Sequence, residues 1–217
     1  MGTHSFGIKR RKDRMKHDPT EIPLYSAREA ARFVGVPPST LQKWLHGREY
    51  EAGGGTKWSK PLLSPADPRT GRLSFANLAE AHILDATRKA RIPMADVRAA
   101  IDMLQREHSY KHPLLSGRFY RIGKRMFVEY LNEIVSASRP TEGQPQLGDL
   151  LEAYLERITR DDQDRPIRLF PMRYNESKRV VLDFGIAAGQ PVVTGTGILV
   201  ECLRDLRDAG TSIPKIA

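Results

Sequence analysis

The pattern of apolar and polar positions over residues 25–46 predicts two short helices joined by a tight turn. Ser26 followed by Glu29 is a capping box, which predicts a helix that begins at the next residue after Ser26. Gly35 supplies the turn, and Pro38 suits the first position of a second helix. Apolar residues at helical spacing would pack the two helices together: Ala30, Ala31 and Val34 with Leu41, Trp44 and Leu45. This is the layout of a helix-turn-helix, whose second helix enters the major groove of DNA.

The polar positions of the second helix, and of the segment after it, are the candidate DNA contacts. Three glycines at 53–55 separate two polar flanks, which predicts a hairpin lying as a wing beside the second helix. Such polar groups can contact base edges or phosphates. The predicted contacts are Ser39, Thr40, Gln42, Lys43 and His46 on the helix, and Lys57 and Lys60, which flank Trp58, on phosphates. Trp58 is expected to pack under the wing as core. A helical hairpin in any globular core has similar spacing, so the pattern alone leaves that alternative open.

Two longer helices are predicted after the wing. Ser74 can cap a helix over Phe75–Lys89, and Pro93 opens another that runs from Met94 to about residue 107. His82 lies on the apolar face of the first of these, where a hydrogen-bonded core histidine is the expected role. The sequence thus predicts helix, turn, helix, wing, helix, helix over residues 24–108.

Beyond residue 109 the chain changes to short apolar runs separated by polar breaks. The predicted segments are a hairpin at Gly123-Lys124, helices at 128–135, 147–158 and 199–208, and strands at 167–170 and 180–182. The predicted fold is mainly α with short β hairpins. Four parts are expected: a basic flexible tail (1–23), a winged helix-turn-helix domain (24–108), an α+β linking and dimerisation region (109–178) and a partial, helical C-terminal domain (179–217).

Composition supports a nucleic-acid partner and narrows the chemistry. The 217 residues carry a formal net charge of +9, with a pI of about 9.8. Such a balance favours polyanions, because binding releases counterions, although ribosome-associated and membrane-surface proteins share it. Cys202 is the only cysteine, which excludes an intramolecular disulfide and a cysteine-cluster zinc site. No apolar run is long enough to span a membrane, so a cytoplasmic protein without a membrane partner is expected.

Enzymatic and metal-binding interpretations are weaker. A nuclease would need carboxylates converging from separate elements, whereas Asp161, Asp162 and Asp164 lie in one polar stretch that suggests a hydrated turn. His108 and His112 could hold a metal, but Pro113 argues against one continuous helix presenting both, and a solvated loop is expected. We therefore predict no catalytic residues, no cofactor and no metal.

The order of these segments resembles a known kind of two-part regulator. Residues 25–104 resemble the winged helix-turn-helix of MerR-like regulators, through YSAREAARFVGV, STLQKWL and LSFANLAEAHILDATRKARIPMADVRAAIDML. The tail is similar to a small domain of unknown function found in VapB-type antitoxins. It shares the elements Gly189-Gln190-Pro191, Gly195-Thr196-Gly197-Ile198 and Ala209-Gly210. HPLLSGRFYRIGKRMFVEYL and IRLFP resemble the region that connects the two parts.

This resemblance implies an antitoxin that neutralises a PIN-like ribonuclease toxin and represses its own operon. It places Thr40, Gln42 and Lys43 on bases or phosphates of the promoter, with Gln42 suited to adenine and Lys43 to guanine. By the same resemblance, the DNA backbone is contacted by Arg48, Lys57 and Lys60. Specific repression by so short a reading helix predicts a homodimer on a palindromic site. The alternatives are a MerR-like regulator without a toxin and a protein-interaction module that does not bind DNA.

The sequence departs from that family pattern at three places. Pro37 stands where such a second helix usually carries a capping Ser or Thr. Arg91 replaces the usual helix-ending glycine between the third and fourth helices. The C-terminal domain is expected to be incomplete, because a second helix-turn-helix that it should contain would begin after Ala217.

Overall fold

A computed structural model describes residues 18–106, 111–115, 147–172 and 177–212. These parts contain six α-helices and two small antiparallel sheets. The helices are α1 (Ala27–Val34), α2 (Pro38–His46), α3 (Phe75–Lys89), α4 (Met94–Arg106), α5 (Leu147–Leu155) and α6 (Val200–Asp208). The strands are β1 (Arg48–Ala52), β2 (Gly55–Ser59), β3 (Ile158–Arg160), β4 (Pro166–Leu169), β5 (Val180–Asp183) and β6 (Pro191–Val193). The predicted hairpin at Gly123-Lys124, the helix at 128–135 and most of the basic tail lie outside the described residues.

The first two helices begin and end where their local signals predict. Oγ of Ser26 accepts from the amide of Glu29, whose carboxylate accepts from the Ser26 amide in return, completing the capping box. Gly35 ends α1 with a φ of 87°, a left-handed conformation that favours glycine. Pro38 is the first residue of α2, and Pro37 before it supplies no side-chain cap. The predicted loss of that cap is confirmed.

Local signals also define the start of α3 and the turn between α3 and α4. Oγ of Ser74 caps α3 by accepting from the amide of Asn77. The turn to α4 contains Arg91 at a φ of 58°, so an arginine occupies the left-handed position that glycine would favour. The amide of Ile92 donates to the carbonyl of Thr87 and closes this helix end. The prediction that Arg91 stands in for a helix-ending glycine therefore agrees with the backbone.

The C-terminal part contains more sheet than the sequence predicted. Its four strands form one antiparallel sheet in the order β3-β4-β5-β6. The helix predicted over 147–158 ends at Leu155, and Ile158 instead begins β3, paired with Leu169. The expectation of a mainly α fold is thus confirmed only in part, because a mixed α/β architecture replaces isolated hairpins. Residues 180–208 contribute two strands and α6, not helices alone.

One hydrophobic core runs through both halves, and α3 is its centre. Every residue from Phe75 to Thr87 is buried, because α1 packs on one side of α3 while α5 and β4 pack on the other. His82 is fully buried, with Nε2 3.2 Å from the carbonyl oxygen of Tyr154, which confirms its predicted role as a core histidine. The helix-turn-helix and the C-terminal sheet therefore pack against the same helix, α3.

A close backbone approach joins the helix-turn-helix to the C-terminal sheet. The hydroxyl of Tyr25 donates to the carbonyl of Ala188 at 3.0 Å. Gly189 has a φ of 73°, and a Cβ there would lie 2.1 Å from the same hydroxyl. Phe75 and Phe184 meet edge to face beside it, with ring centroids 5.9 Å apart. Glycine is required at position 189 both for its conformation and for space.

The described helices do not include one long and apolar enough to cross a membrane. Among the described residues, no group of three or more His, Cys, Asp or Glu is arranged to hold a metal ion.

Candidate nucleic-acid interface

The exposed surface of α2 carries most of the predicted base contacts. Leu41, Trp44 and Leu45 are buried against α1 and the core. The opposite face leaves hydrogen-bonding and cationic side chains in solvent: Ser39, Gln42, Lys43 and His46 are exposed, and Thr40 is half-buried. The structure therefore brings all five together on one helix. An exposed helix with this mixture of donors and acceptors has the chemistry needed to contact base edges.

The β1–β2 hairpin is fastened directly to the end of α2. The amides of Leu62 and Leu63, which follow the hairpin, both donate to the carbonyl of Trp44, at 2.7 and 3.0 Å. At the hairpin's start, Gly47 has a φ of 73°, and a Cβ there would lie 2.1 Å from the carbonyl oxygen of Ser59. A side chain at position 47 is therefore excluded. These contacts fix where the hairpin stands relative to the exposed face of α2.

The strand register sorts the hairpin's side chains onto two faces. Arg48 pairs with Ser59 and Tyr50 with Lys57, so these four share one face. The other face carries two acids, with Trp58 opposite Glu49. Arg48, Lys57 and Lys60, predicted as phosphate contacts, are all exposed. Two of the three, Arg48 and Lys57, lie on the same face of the hairpin.

The prediction that Trp58 packs under the wing as core is wrong. Its side chain is 58% exposed, and only part of the indole covers Gly47. The physical reason is that the hairpin stands out from the domain, so neither of its faces is covered by another element along its whole length. Tyr50, at 40% exposure, is also open to solvent. The aromatic side chains of this hairpin are therefore available to a partner.

A cleft of about 670 Å³ separates the hairpin from α4. Cations and aromatic rings line much of it, with one carboxylate: its charged and aromatic lining residues are Arg48, Tyr50, Trp58, Lys60, Arg98 and Asp102. Sequence analysis selected Arg48 and Lys60 but missed Arg98, which lies on a helix whose apolar spacing indicated only packing. The sequence around Arg98 carries no motif that marks it as a binding residue.

A buried charged cluster supports α3 from the side of the N-terminal turn, at residues the sequence assigned to a solvated loop. Nδ1 of His112 lies 2.8 Å from Oε2 of Glu80, and the same carboxylate accepts from the amide of Leu114. Nε2 of His112 lies 2.9 Å from Oε1 of Glu21 but is poorly aligned for a hydrogen bond, so this contact is an ion pair. The expectation of a solvated loop at His112 is wrong; His108 lies outside the described residues.

These neighbours change the pKa values of the cluster. Burial lowers the pKa of His112, but the carboxylates of Glu21 and Glu80 outweigh it and raise that pKa to about 9. Burial raises the pKa of Glu21, yet His112 and Lys111 outweigh it and lower that pKa to about 2. The imidazole is therefore a buried imidazolium at neutral pH, held between two carboxylates.

The acidic stretch proposed as a possible nuclease site forms a single turn between β3 and β4. The carboxylate of Asp161 accepts from the amides of Gln163 and Arg165 and from the Arg165 guanidinium, with its Nε at 2.8 Å. Asp164 lies next to Arg160, at 3.4 Å. The predicted turn is confirmed, and the structure adds that Asp161 and Asp164 pair with neighbouring arginines.

Comparison with known proteins supports a DNA-binding helix-turn-helix domain in this part of the chain. A family described as "Putative DNA-binding HTH domain" matches residues 23–101. "Putative antitoxin VapB45" from Mycobacterium tuberculosis (strain ATCC 25618 / H37Rv) is 30% identical over 212 residues, covering 91% of this chain and 87% of that protein. The crystal structure of Rv2018 from Mycobacterium tuberculosis superposes with a TM-score of 0.62 at 25% identity, covering 90% of this chain and 91% of that one.

Proposed function

The chain belongs to the family of VapB45-type antitoxins, and from that premise we propose that it represses its own operon and neutralises a PIN-like ribonuclease toxin. The observation that supports the DNA-binding half most strongly is the exposed face of α2. It presents hydroxyl, amide and cationic groups on a helix inside a region that matches a DNA-binding domain family. Nothing in this function requires a cofactor or a catalytic residue, and we propose a non-enzymatic regulator.

In this proposal α2 is the reading helix and the β1–β2 hairpin is a wing. Gln42 and Lys43 would reach base edges from the exposed face of α2, together with Ser39, Thr40 and His46. The exposed cations of the wing and its exit, Arg48, Lys57 and Lys60, would hold phosphates on either side of the groove. Because α2 ends where the hairpin begins, the two sets of contacts come from adjacent elements.

The DNA-binding half is tested by titrating the chain against a duplex of its own upstream sequence at several salt concentrations. Three phosphate contacts per protomer and two protomers per site predict a slope of log K against log salt of about −5. A scrambled duplex of equal length serves as the control. Absence of binding at low salt would contradict the repressor proposal and favour a protein-interaction module.

We propose a homodimer because a single α2 covers only part of a groove, and two copies reading a palindrome give the needed specificity. The linking region, residues 109–178, is the proposed site of dimerisation, and most of its first half lies outside the described residues. Light scattering at micromolar concentration tests this. A monomer under those conditions would contradict dimeric repression.

The toxin half is tested with the protein encoded beside this chain. Co-purification of the two, and loss of ribonuclease activity of the neighbour when this chain is added, are the expected results. If the neighbour is not a ribonuclease, or if its activity is unchanged, the MerR-like regulator without a toxin becomes the better description.

A further inference from the structure

The cleft between the hairpin and α4 contains an arginine whose position is fixed by backbone carbonyls. Nε of Arg98 donates to the carbonyl of Lys60 at 2.6 Å, and its Nη1 donates to the carbonyl of Met94 at 3.0 Å. A guanidinium has five N–H donors, and these two bonds hold its plane in one orientation. Within the described part of the chain, Nη2 of Arg98 has no hydrogen-bond partner. Arg98 is thus a preorganised cation with unused donors.

A second guanidinium faces the same cleft. Arg48 lines it from the hairpin, and within the described residues its side chain has no salt-bridge partner. Burial, and after it the charge of Arg48, lower the pKa of Arg98, while Tyr50 and Asp102 counteract only part of this. Two like charges brought together in one cleft repel each other, and an anion between them would relieve that repulsion.

An exposed aromatic ring lies on the same face of the hairpin as Arg48. Tyr50 lines the cleft at 40% exposure, and it is two residues from Arg48 on β1. Aromatic rings next to arginines are typical of surfaces that bind nucleic-acid strands, where a ring covers a sugar or base and the cation meets the phosphate.

We propose that this cleft binds a phosphodiester of the duplex, with Arg48 and Arg98 as its charged ligands and Tyr50 covering the adjoining deoxyribose. The proposal rests on the proposed function, since it adds Arg98 and Tyr50 to the proposed DNA contacts of α2 and the hairpin. The cleft, at about 670 Å³, is much larger than a phosphate group, which suits a continuous backbone. Charge also favours this occupant: Arg48, Lys60 and Arg98 outnumber Asp102, the one acid in the lining.

The charge is tested with Arg98→Met, which keeps an unbranched apolar stem and removes the guanidinium. We expect weaker binding to the upstream and scrambled duplexes alike, and a salt slope smaller in magnitude by about 1.8, because each of the two protomers loses one phosphate contact worth about 0.9. Arg207→Met is the matched control, because it removes an equal charge from the exposed end of α6. It should leave the slope unchanged. Circular dichroism of both variants establishes that they fold.

The ring is tested with Tyr50→Ala, which leaves every charge of the cleft in place. We expect affinity for the upstream and scrambled duplexes to fall several-fold while the salt slope stays unchanged. Leu206→Ala is the matched control, because it truncates a side chain of similar exposure (46%) on α6, and it should keep the wild-type affinity. Circular dichroism establishes that both variants fold.

The outcomes separate this inference from the function it rests on. If duplex binds tightly while Tyr50→Ala keeps the wild-type affinity and Arg98→Met keeps the wild-type slope, the cleft proposal is overturned and DNA binding stands. If no duplex binds at low salt, the proposed function itself fails, and the cleft proposal with it. If inorganic phosphate at constant ionic strength competes with duplex in wild type but not in Arg98→Met, the cleft is a small-anion site and the backbone assignment is wrong.

Discussion

Removing the imidazole of His112 should destabilise the fold by about 3 kcal/mol at pH 6.5. The pKa of His112 rises from 6.5 to about 9 between the two carboxylates, and each pH unit corresponds to roughly 1.4 kcal/mol. His112→Ala also leaves Glu80, whose side chain is 3% exposed, without its charged partner. Loss of one member of a buried ion pair typically costs about 3–5 kcal/mol, so the two lines of reasoning agree.

The sign of the pH dependence follows from the same values. Because the folded pKa of His112 is raised, its contribution is complete below about pH 6.5 and is lost as the pH rises through about 9. The pKa of Glu21 is lowered to about 2, so its contribution is present above pH 4.5 and is lost as the pH falls toward 2. The cluster should therefore stabilise the fold most between about pH 4.5 and 6.5.

Urea unfolding at pH 6.5, 8 and 9.5 measures both effects. We expect wild type to lose stability across this series and His112→Ala to start lower and change less. His46→Ala is the matched control, because its side chain is exposed on α2, and it should unfold like wild type. A loss below 1 kcal/mol in His112→Ala, with an unchanged pH profile, would refute the buried imidazolium.

Three further changes test other parts of the account. Gly189→Ala should lower the free energy of unfolding by about 2–4 kcal/mol in urea, because the added methyl group clashes at a backbone that is already left-handed. Gly195→Ala is the control: its backbone is also left-handed but the space around it is open, so it should cost only about 1 kcal/mol. Pro37→Ser should restore the missing cap of α2 and raise stability by about 0.5 kcal/mol, because a cap worth about 1 kcal/mol is partly offset by greater freedom of the unfolded chain. In duplex titrations, Lys43→Ala should weaken binding only to duplexes that carry particular base pairs, whereas Lys57→Ala should weaken binding to all sequences equally. If the two variants behave identically, α2 is not the reading helix.

The helix-turn-helix could be predicted from the sequence because its determinants are local. A capping box, a left-handed glycine and an N-terminal proline act within four residues of the helix ends they define. The bounds of α1, α2 and α3 therefore agree with prediction at every N-terminus. Such signals depend on hydrogen bonds and φ angles close in sequence, so distant parts of the chain do not override them.

The parts that sequence analysis missed depend on contacts distant along the chain. His112 is buried by Glu80 and Glu21, which lie on separate elements far from it in sequence. Trp58 was assigned to the core because tryptophans usually are, but whether a hairpin is covered depends on what packs over it. Arg98 carries no motif, and only the fold brings it near Arg48. The sequence predicted the candidate DNA contacts on α2, but it did not predict that α4 would form one side of the cleft beside the hairpin.

The most direct test of the central claim compares the affinity of the chain for its own upstream duplex with its affinity for a scrambled duplex at physiological salt. Both affinities are measured with and without the neighbouring gene product. An autoregulating antitoxin predicts a ratio of at least about 10³, and a shift in the affinity for the upstream duplex when the toxin is added. Equal affinity for both duplexes, unchanged by the neighbour, would contradict the account and leave only a basic surface with general attraction to DNA.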